Sequence, residues 1–174
     1  YYRPTLVWPK PAAMIYGTRL SSEQLCAEKA AEDIDILGTF EYWPAFNTIL
    51  NVGEQHELKV TFIPNDATLF LKAEASVTLD VHCYIPTIRW DDPPPISYGE
   101  LLSDNQLNAS LVHEDRDIEG HFEYEPSIGS RLSVGLGQEL QVTFYPKDST
   151  NIAAAKECVT LDVHCYIPTI RWDD

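Results

Sequence analysis

The stretch VTLDVHCYIPTIRWDD occupies residues 77–92 and returns unchanged at 159–174. In its first half Val77, Leu79, Val81, Cys83 and Ile85 are apolar, and Thr78, Asp80, His82 and Tyr84 fall between them. A period of two with β-branched residues predicts a strand with one buried face. The stretch therefore predicts β structure and, because it recurs, a repeated unit.

Sliding the chain along itself by about 82 residues aligns 4–85 with 86–167 without a gap, and about half the aligned positions are identical. Trp8 meets Trp90, Tyr16-Gly17 meets Tyr98-Gly99, and Gln24-Leu25 meets Gln106-Leu107. Gly38-x-Phe40-Glu41-Tyr42-x-Pro44 meets Gly120-x-Phe122-Glu123-Tyr124-x-Pro126, and Leu58-x-Val60-Thr61-Phe62-x-Pro64 meets Leu140-x-Val142-Thr143-Phe144-x-Pro146. A fixed period marks an array. A unit of this length buries its own core, so the array is one of beads and not a stacked solenoid. The expected division is 1–85, 86–167, and a truncated first strand of a following repeat at 168–174.

Leu58, Val60 and Phe62 alternate with Lys59, Thr61 and Ile63, and Phe40 and Tyr42 flank Glu41. Turn residues separate these runs at Asn51-Val52-Gly53, Pro64-Asn65-Asp66 and Gly135-Leu136-Gly137. Short strands with regular turns predict an all-β sandwich. Residues 21–31 carry helix formers and a capping box, but their counterparts at 103–112 make a poor helix. Two aligned units share one fold, so at most one helical turn is expected, near 21–25.

The net charge of −15 and a pI near 4.5 argue against nucleic acid, which needs a basic patch. They also disfavour anionic membranes, and no apolar run is long enough to span a bilayer. No Gly-x-Ser-x-Gly, His-Glu-x-x-His or glycine-rich phosphate loop is present, so no catalytic residue and no cofactor site is assigned. Asn108-Ala109-Ser110 is a glycosylation sequon in one unit only. With no initiator Met, the chain is expected to be a piece of a longer protein.

His82-Cys83 and His164-Cys165 look like metal ligands, but strand neighbours point to opposite faces. Cys83 and Cys165 are expected on the buried face with Val81 and Val163. No cysteine pair recurs in both units, because Asn108 replaces Cys26 and Ser76 replaces Cys158. Mostly free thiols follow, with Cys26–Cys83 left open, and free thiols lean toward a reducing compartment. Asp91-Asp92 and Asp173-Asp174 are read as solvated charge that blunts a strand edge, since the first unit has Pro9-Lys10 there.

The connection between units holds no Gly or Ser from Val77 to Trp90. Pro86 fixes its own φ and pushes Ile85 toward extended backbone. Tyr84, Ile85, Pro86, Arg89 and Trp90 are therefore the inter-repeat junction residues. The Trp90 indole is expected in the core of its own unit. Identical junctions predict a regular rod, with neighbouring repeats of the same chain as partners.

The ordered set W-x-x-P, I-x-Y-G, Q-L-x-A, G-x-F-x-Y-x-P, L-x-V-x-F-x-P-x-D and V-T-L-x-V resembles the MBG-type bacterial immunoglobulin-like repeats, over nearly the whole chain, twice. The resemblance implies an Ig-like sandwich and an extension or adhesion role in a large cell-surface protein, with an unknown protein or glycan partner. The free thiols suggest the alternative of an intracellular, cytoskeleton-associated protein. The segments from Ala27 to Gly38 and from Ala109 to Gly120 are longer than that pattern. They are expected to form hairpins with Glu32, Asp33 and Asp35, or Glu114, Asp115 and Asp117, at the tip. Three carboxylates fall short of the roughly six to eight oxygens that Ca²⁺ takes, so a solvated turn is preferred and a Ca²⁺ site is the alternative.

Overall fold

The computed structural model describes residues 1–171, and the chain separates into two compact units, Tyr1–Tyr84 and Ile85–Asp174. The first contains β1 (Leu6–Val7), β2 (Met14–Ile15), β3 (Glu28–Lys29), β4 (Gly38–Trp43), β5 (Gly53–Pro64) and β6 (Ala73–His82). Four of these form one sheet in the order β2-β6-β5-β4, with β2 parallel to β6 and the other pairs antiparallel. β1 and β3 pair as a second, two-stranded sheet.

The second unit repeats the plan with β7 (Ile88–Arg89), β8 (Ile96–Ser97), β9 (Ser110–Leu111), β10 (Gly120–Glu125), β11 (Gly135–Pro146) and β12 (Ala155–His164). Its sheets are β8-β12-β11-β10 and β7-β9. No α-helix occurs among the described residues. Residues 168–171 run without strand pairing, and 172–174, with Asp173-Asp174, lie outside the described residues.

Alternation creates the core. Leu58, Val60 and Phe62 are at most 1% exposed, while Glu57 and Lys59 between and beside them face solvent. Trp8, Leu20, Leu25 and Ala27 close over Leu58, Val60 and Leu79, and Leu6 of the two-stranded sheet packs on the same cluster. The second unit closes Trp90, Leu102 and Leu107 over Leu140, Val142 and Leu161. Burying each large side chain contributes about 1.5–3 kcal/mol. Each unit is thus an immunoglobulin-like β-sandwich, and the chain is all-β.

Two polar devices orient the core aromatics. The Trp8 indole donates to the Gln24 carbonyl at 2.9 Å and meets Tyr42 edge-on at 5.6 Å. Trp90 donates to the Gln106 carbonyl at 3.0 Å and meets Tyr124 at 5.5 Å. The expected helical turn supplies those carbonyls. Leu25 N–H donates to Ser21 O at 2.9 Å, and Gln24 Oε1 accepts from the Ser21 N–H at 3.1 Å, as in a capping box. Ser103 and Gln106 repeat the arrangement.

Glycine is required at the start of β4. A Cβ on Gly38 would run into the Ile63 carbonyl and the Phe62 ring, and one on Gly120 into Tyr145 and Phe144. At the bulge opening β5, Gln55 holds φ 55, and its N–H donates to Asp80 Oδ1 at 2.7 Å. The second unit places Gly137 there at φ 63, donating to Asp162 at 2.6 Å. Left-handed backbone costs a side-chain-bearing residue about 1–2 kcal/mol, partly offset by the entropy glycine adds to the unfolded chain. Gln55→Gly should therefore raise stability by up to about 1 kcal/mol in denaturant unfolding. Gly137→Gln should lower it.

Burial raises the phenol pKa of Tyr42 and of Tyr124 above 10.0, against the opposing effect of a backbone hydrogen bond at Ala27 and Ala109. The Ala27 N–H donates to the Tyr42 hydroxyl at 3.0 Å. The unfolded chain ionises these phenols first, so the stability they contribute is whole below pH 10.0 and is lost as pH rises through the folded values. Ultraviolet titration should show a fraction of the tyrosines ionising late, above pH 10.0, together with loss of circular dichroism, and that fraction should shrink in a Tyr42→Phe/Tyr124→Phe variant.

Candidate functional site

The acidic segments do not form hairpin tips. Ala31–Asp33 and His113–Asp115 are single 3₁₀ turns, and each folds its aspartate inward. Asp33 is 1% exposed, and its Oδ2 accepts the Thr5 N–H at 2.7 Å. The Ala30 N–H returns a bond to the Thr5 carbonyl at 2.9 Å. Tyr2 also hydrogen-bonds to Asp33, and that bond chiefly raises the phenol pKa above 10.0. In the second unit Asp115 is 3% exposed and accepts the Thr87 N–H at 2.7 Å, and the Val112 N–H donates to the Thr87 carbonyl at 3.1 Å.

The inward turn of each aspartate has a physical reason. A buried carboxylate needs donors, and an incoming strand offers an amide that nothing else satisfies. Glu32, Asp35, Glu114 and Asp117 stay exposed, apart from the buried aspartates in their own segments. Lys29 Nζ donates to the Ile34 and Ile36 carbonyls at 2.7 and 2.6 Å and closes the first loop. Among the described residues, no three His, Cys, Asp or Glu side chains sit where they could hold one metal ion.

Of the junction residues, Tyr84 closes the first unit and is partly buried, and Ile85 opens the second at 63% exposure. Pro86 and Trp90 are buried. Arg89 is exposed and lies 3.6 Å from Asp91. Trp90 belongs to the core of the second unit, as Trp8 does to the first. Asp92 does sit on a strand edge, where its Oδ1 accepts the Thr160 N–H of β12 at 3.1 Å.

All four cysteines are free, but Cys83 and Cys165 are exposed and not on the buried face. β6 and β12 end at His82 and His164, so alternation lapses one residue before each cysteine. Asn108 of the sequon is exposed, and its Nδ2 donates to the Asn105 carbonyl at 3.2 Å.

The units differ most on their surfaces. Exposed Trp43, Ile34 and Leu37 of the first unit stand where the second has Glu125, Arg116 and Glu119. At other positions the exchange runs the opposite way, with exposed Leu101 and Leu136 of the second unit where the first has Arg19 and Glu54.

No protein-family model matches the chain, and no curated protein matches it. Among solved structures it is similar to the fibronectin(III)-like modules of Clostridium thermocellum CbhA, at 14% identity over 93% of this chain and 94% of that one, with a TM-score of 0.30. It is also similar to N-cadherin EC1-4 of Drosophila, at 12% identity over 95% of this chain and 50% of that one, with a TM-score of 0.34. The fold assignment rests on the strand order and core packing given above. No helix among the described residues is long and apolar enough to cross a membrane.

Removing the buried carboxylate should loosen the incoming strand. Hydrogen bonds to a charged group contribute about 1.5–3 kcal/mol, so Asp115→Ala should cost that much in denaturant unfolding. Hydrogen exchange at the Thr87 amide should accelerate before that of the β11 amides.

Proposed function

We propose that the chain is a non-enzymatic segment of a long repetitive surface protein, built from MBG-type bacterial immunoglobulin-like repeats, and that it acts as a semi-rigid extension with an adhesive role. The observation that carries this reading is the way the second unit fastens the chain entering it. β6 ends at His82, and Thr87 is already held by Asp115. Only residues 83–86 lie between, with Pro86 among them and no Gly or Ser. A random-coil linker is rich in Gly and Ser, and this segment has neither. Because Asp33 and Thr5 repeat the fastening, the same connection recurs wherever the repeat does.

The role calls for no cofactor and no catalytic residue. Neighbouring repeats are the first partners, and an adhesive ligand, protein or glycan, would be met by exposed side chains. The cell surface is the compartment that suits such an extension. Small-angle scattering on this chain and on a four-unit version, each in Ca²⁺ and in chelator, tests the reading. The maximum dimension should grow in proportion to unit number and ignore Ca²⁺, and replacing Pro86 by Gly-Gly should increase bending. Straightening only with Ca²⁺ would overturn the built-in extension in favour of a binding module that uses Glu32, Asp35, Glu114 and Asp117.

A further inference from the structure

β4 is the outermost strand of its sheet. β5 pairs it on one side, and among the described residues no strand or bridge lies along the other. The pairing shows which main-chain groups face outward. The Asn65 N–H donates to the Leu37 carbonyl at 2.9 Å, one position outside the Gly38–Pro64 pair. Antiparallel bonds alternate, so Thr39, Glu41 and Trp43 direct their N–H and C=O groups to β5, and Gly38, Phe40 and Tyr42 direct theirs to the open side. Pro64 has no N–H, and it sits opposite Gly38, where the ladder needs none. No main-chain or side-chain partner meets the outward main-chain groups among the described residues.

An open edge is a template for another strand, and proteins usually blunt it with charge. The second unit does so. Its β10 turns the same groups outward, at Gly120, Phe122 and Tyr124, because the Lys147 N–H donates to the Glu119 carbonyl at 2.8 Å. The side chains on its solvent face are Glu119, His121, Glu123 and Glu125, all exposed. The first unit has Leu37, Thr39, Glu41 and Trp43 there, with Leu37 71% and Trp43 65% exposed.

The edge of β4 is complementary to itself. One antiparallel register uses every outward group, with Phe40 opposite Phe40 of a second copy and Gly38 opposite Tyr42, each pair exchanging both of its bonds. That register also fixes the neighbours on the solvent face. Trp43 falls opposite Leu37, and Thr39 opposite Glu41, each twice by symmetry. These are the non-hydrogen-bonded positions, where side chains come closest. On the core face Gly38 has no side chain, which leaves room opposite the Tyr42 ring and the Phe46 ring packed edge-on against it at 5.6 Å. The same register in the second unit sets Glu119 against Glu125 twice, and like charges directly opposite are destabilising. Pairing β4 with β10 sets Leu37 and Trp43 against Glu125 and Glu119, which matches neither.

We propose that the free edge of β4 is a self-association site, where two copies of this chain join their β4 strands antiparallel and merge two sheets into one. Main-chain bonds supply the affinity, and the Trp43–Leu37 pairs set the register and leave the second unit out. A second copy is the occupant because bonds and apolar pairs match under one two-fold axis, as an isologous contact requires. A single strand pair buries little surface, so the dimer is weak and answers to concentration. The proposal does not rest on the extension role.

The test uses the whole chain, with reductant present to keep the exposed cysteines from cross-linking copies. Sedimentation velocity should show a monomer–dimer equilibrium between micromolar and millimolar concentration. Both copies carry a net charge of −15, so raising salt should tighten the dimer. Trp43→Glu should raise the dissociation constant about tenfold or more, and a tenfold change is roughly 1.4 kcal/mol. Leu37→Glu, also at an exposed position, should do the same. Amide exchange at Phe40 and Tyr42 should slow as concentration rises, while Thr39 and Glu41, already bonded to β5, should not change. Glu119→Leu combined with Glu125→Trp should give the second unit the same edge and carry assembly past the dimer. A monomer at every concentration would overturn the proposal. So would a dimer indifferent to both Trp43→Glu and Leu37→Glu with circular dichroism unchanged, slowed exchange only outside β4, or no added assembly from the exchange in the second unit. Slowed exchange at Phe40 and Tyr42 by a foreign strand, with the chain itself monomeric, would replace the second copy by a partner protein.

Discussion

A carboxylate that is 1% exposed persists in a protein interior only when donors meet it. At Asp33 those donors are the Thr5 amide and the Tyr2 hydroxyl, and at Asp115 the Thr87 amide is one of them. The bond joins residues 28 apart and sets the chain against the segment that leads into β4 or β10. With that segment held, β1 can pair with β3, and Trp8 can close over Leu58 and Val60. The small sheet has only two residues per strand, too few to be stable alone. It exists because a buried charge and a core tryptophan hold it from two sides.

The unit is asymmetric as a result. One sheet is long, alternating and apolar on its inner face, and it would be recognisable in many contexts. The other is a fragment that depends on local bonds. The two copies keep the residues of those bonds while changing much of the surface. Trp8, Gln24, Asp33, Tyr42 and Asp80 all recur 82 positions later, whereas Trp43 gives way to Glu125 and Lys10 to Asp92. Such a division separates what builds the fold from what each unit presents to its surroundings.

The long strands were legible because alternation needs no knowledge of partners. The single turn at 21–25 was legible because its counterpart is a poor helix. Other features were not. Asp33 looked like one of three solvated carboxylates, since nothing local reveals an amide 28 residues away. Cys83 looked buried because alternation continues through it in sequence, although the strand β6 ends at His82.

The parallel pairing of β2 with β6 joins nearly the first strand of the unit to its last, Met14 to Val81. During synthesis, then, the sheet of the first unit stays open until His82 has emerged, and loop closure over so long a stretch is slow. By the time the second unit follows, an identical run, Val-Thr-Leu-Asp-Val-His, is available at 159–164 to compete for the same partner. Strand exchange between near-identical neighbours is the characteristic misfolding of tandem arrays. Because the two runs are identical, side-chain contacts with β2 or β8 cannot tell them apart, and the order and spacing of the strands along the chain decide which ending each repeat finds.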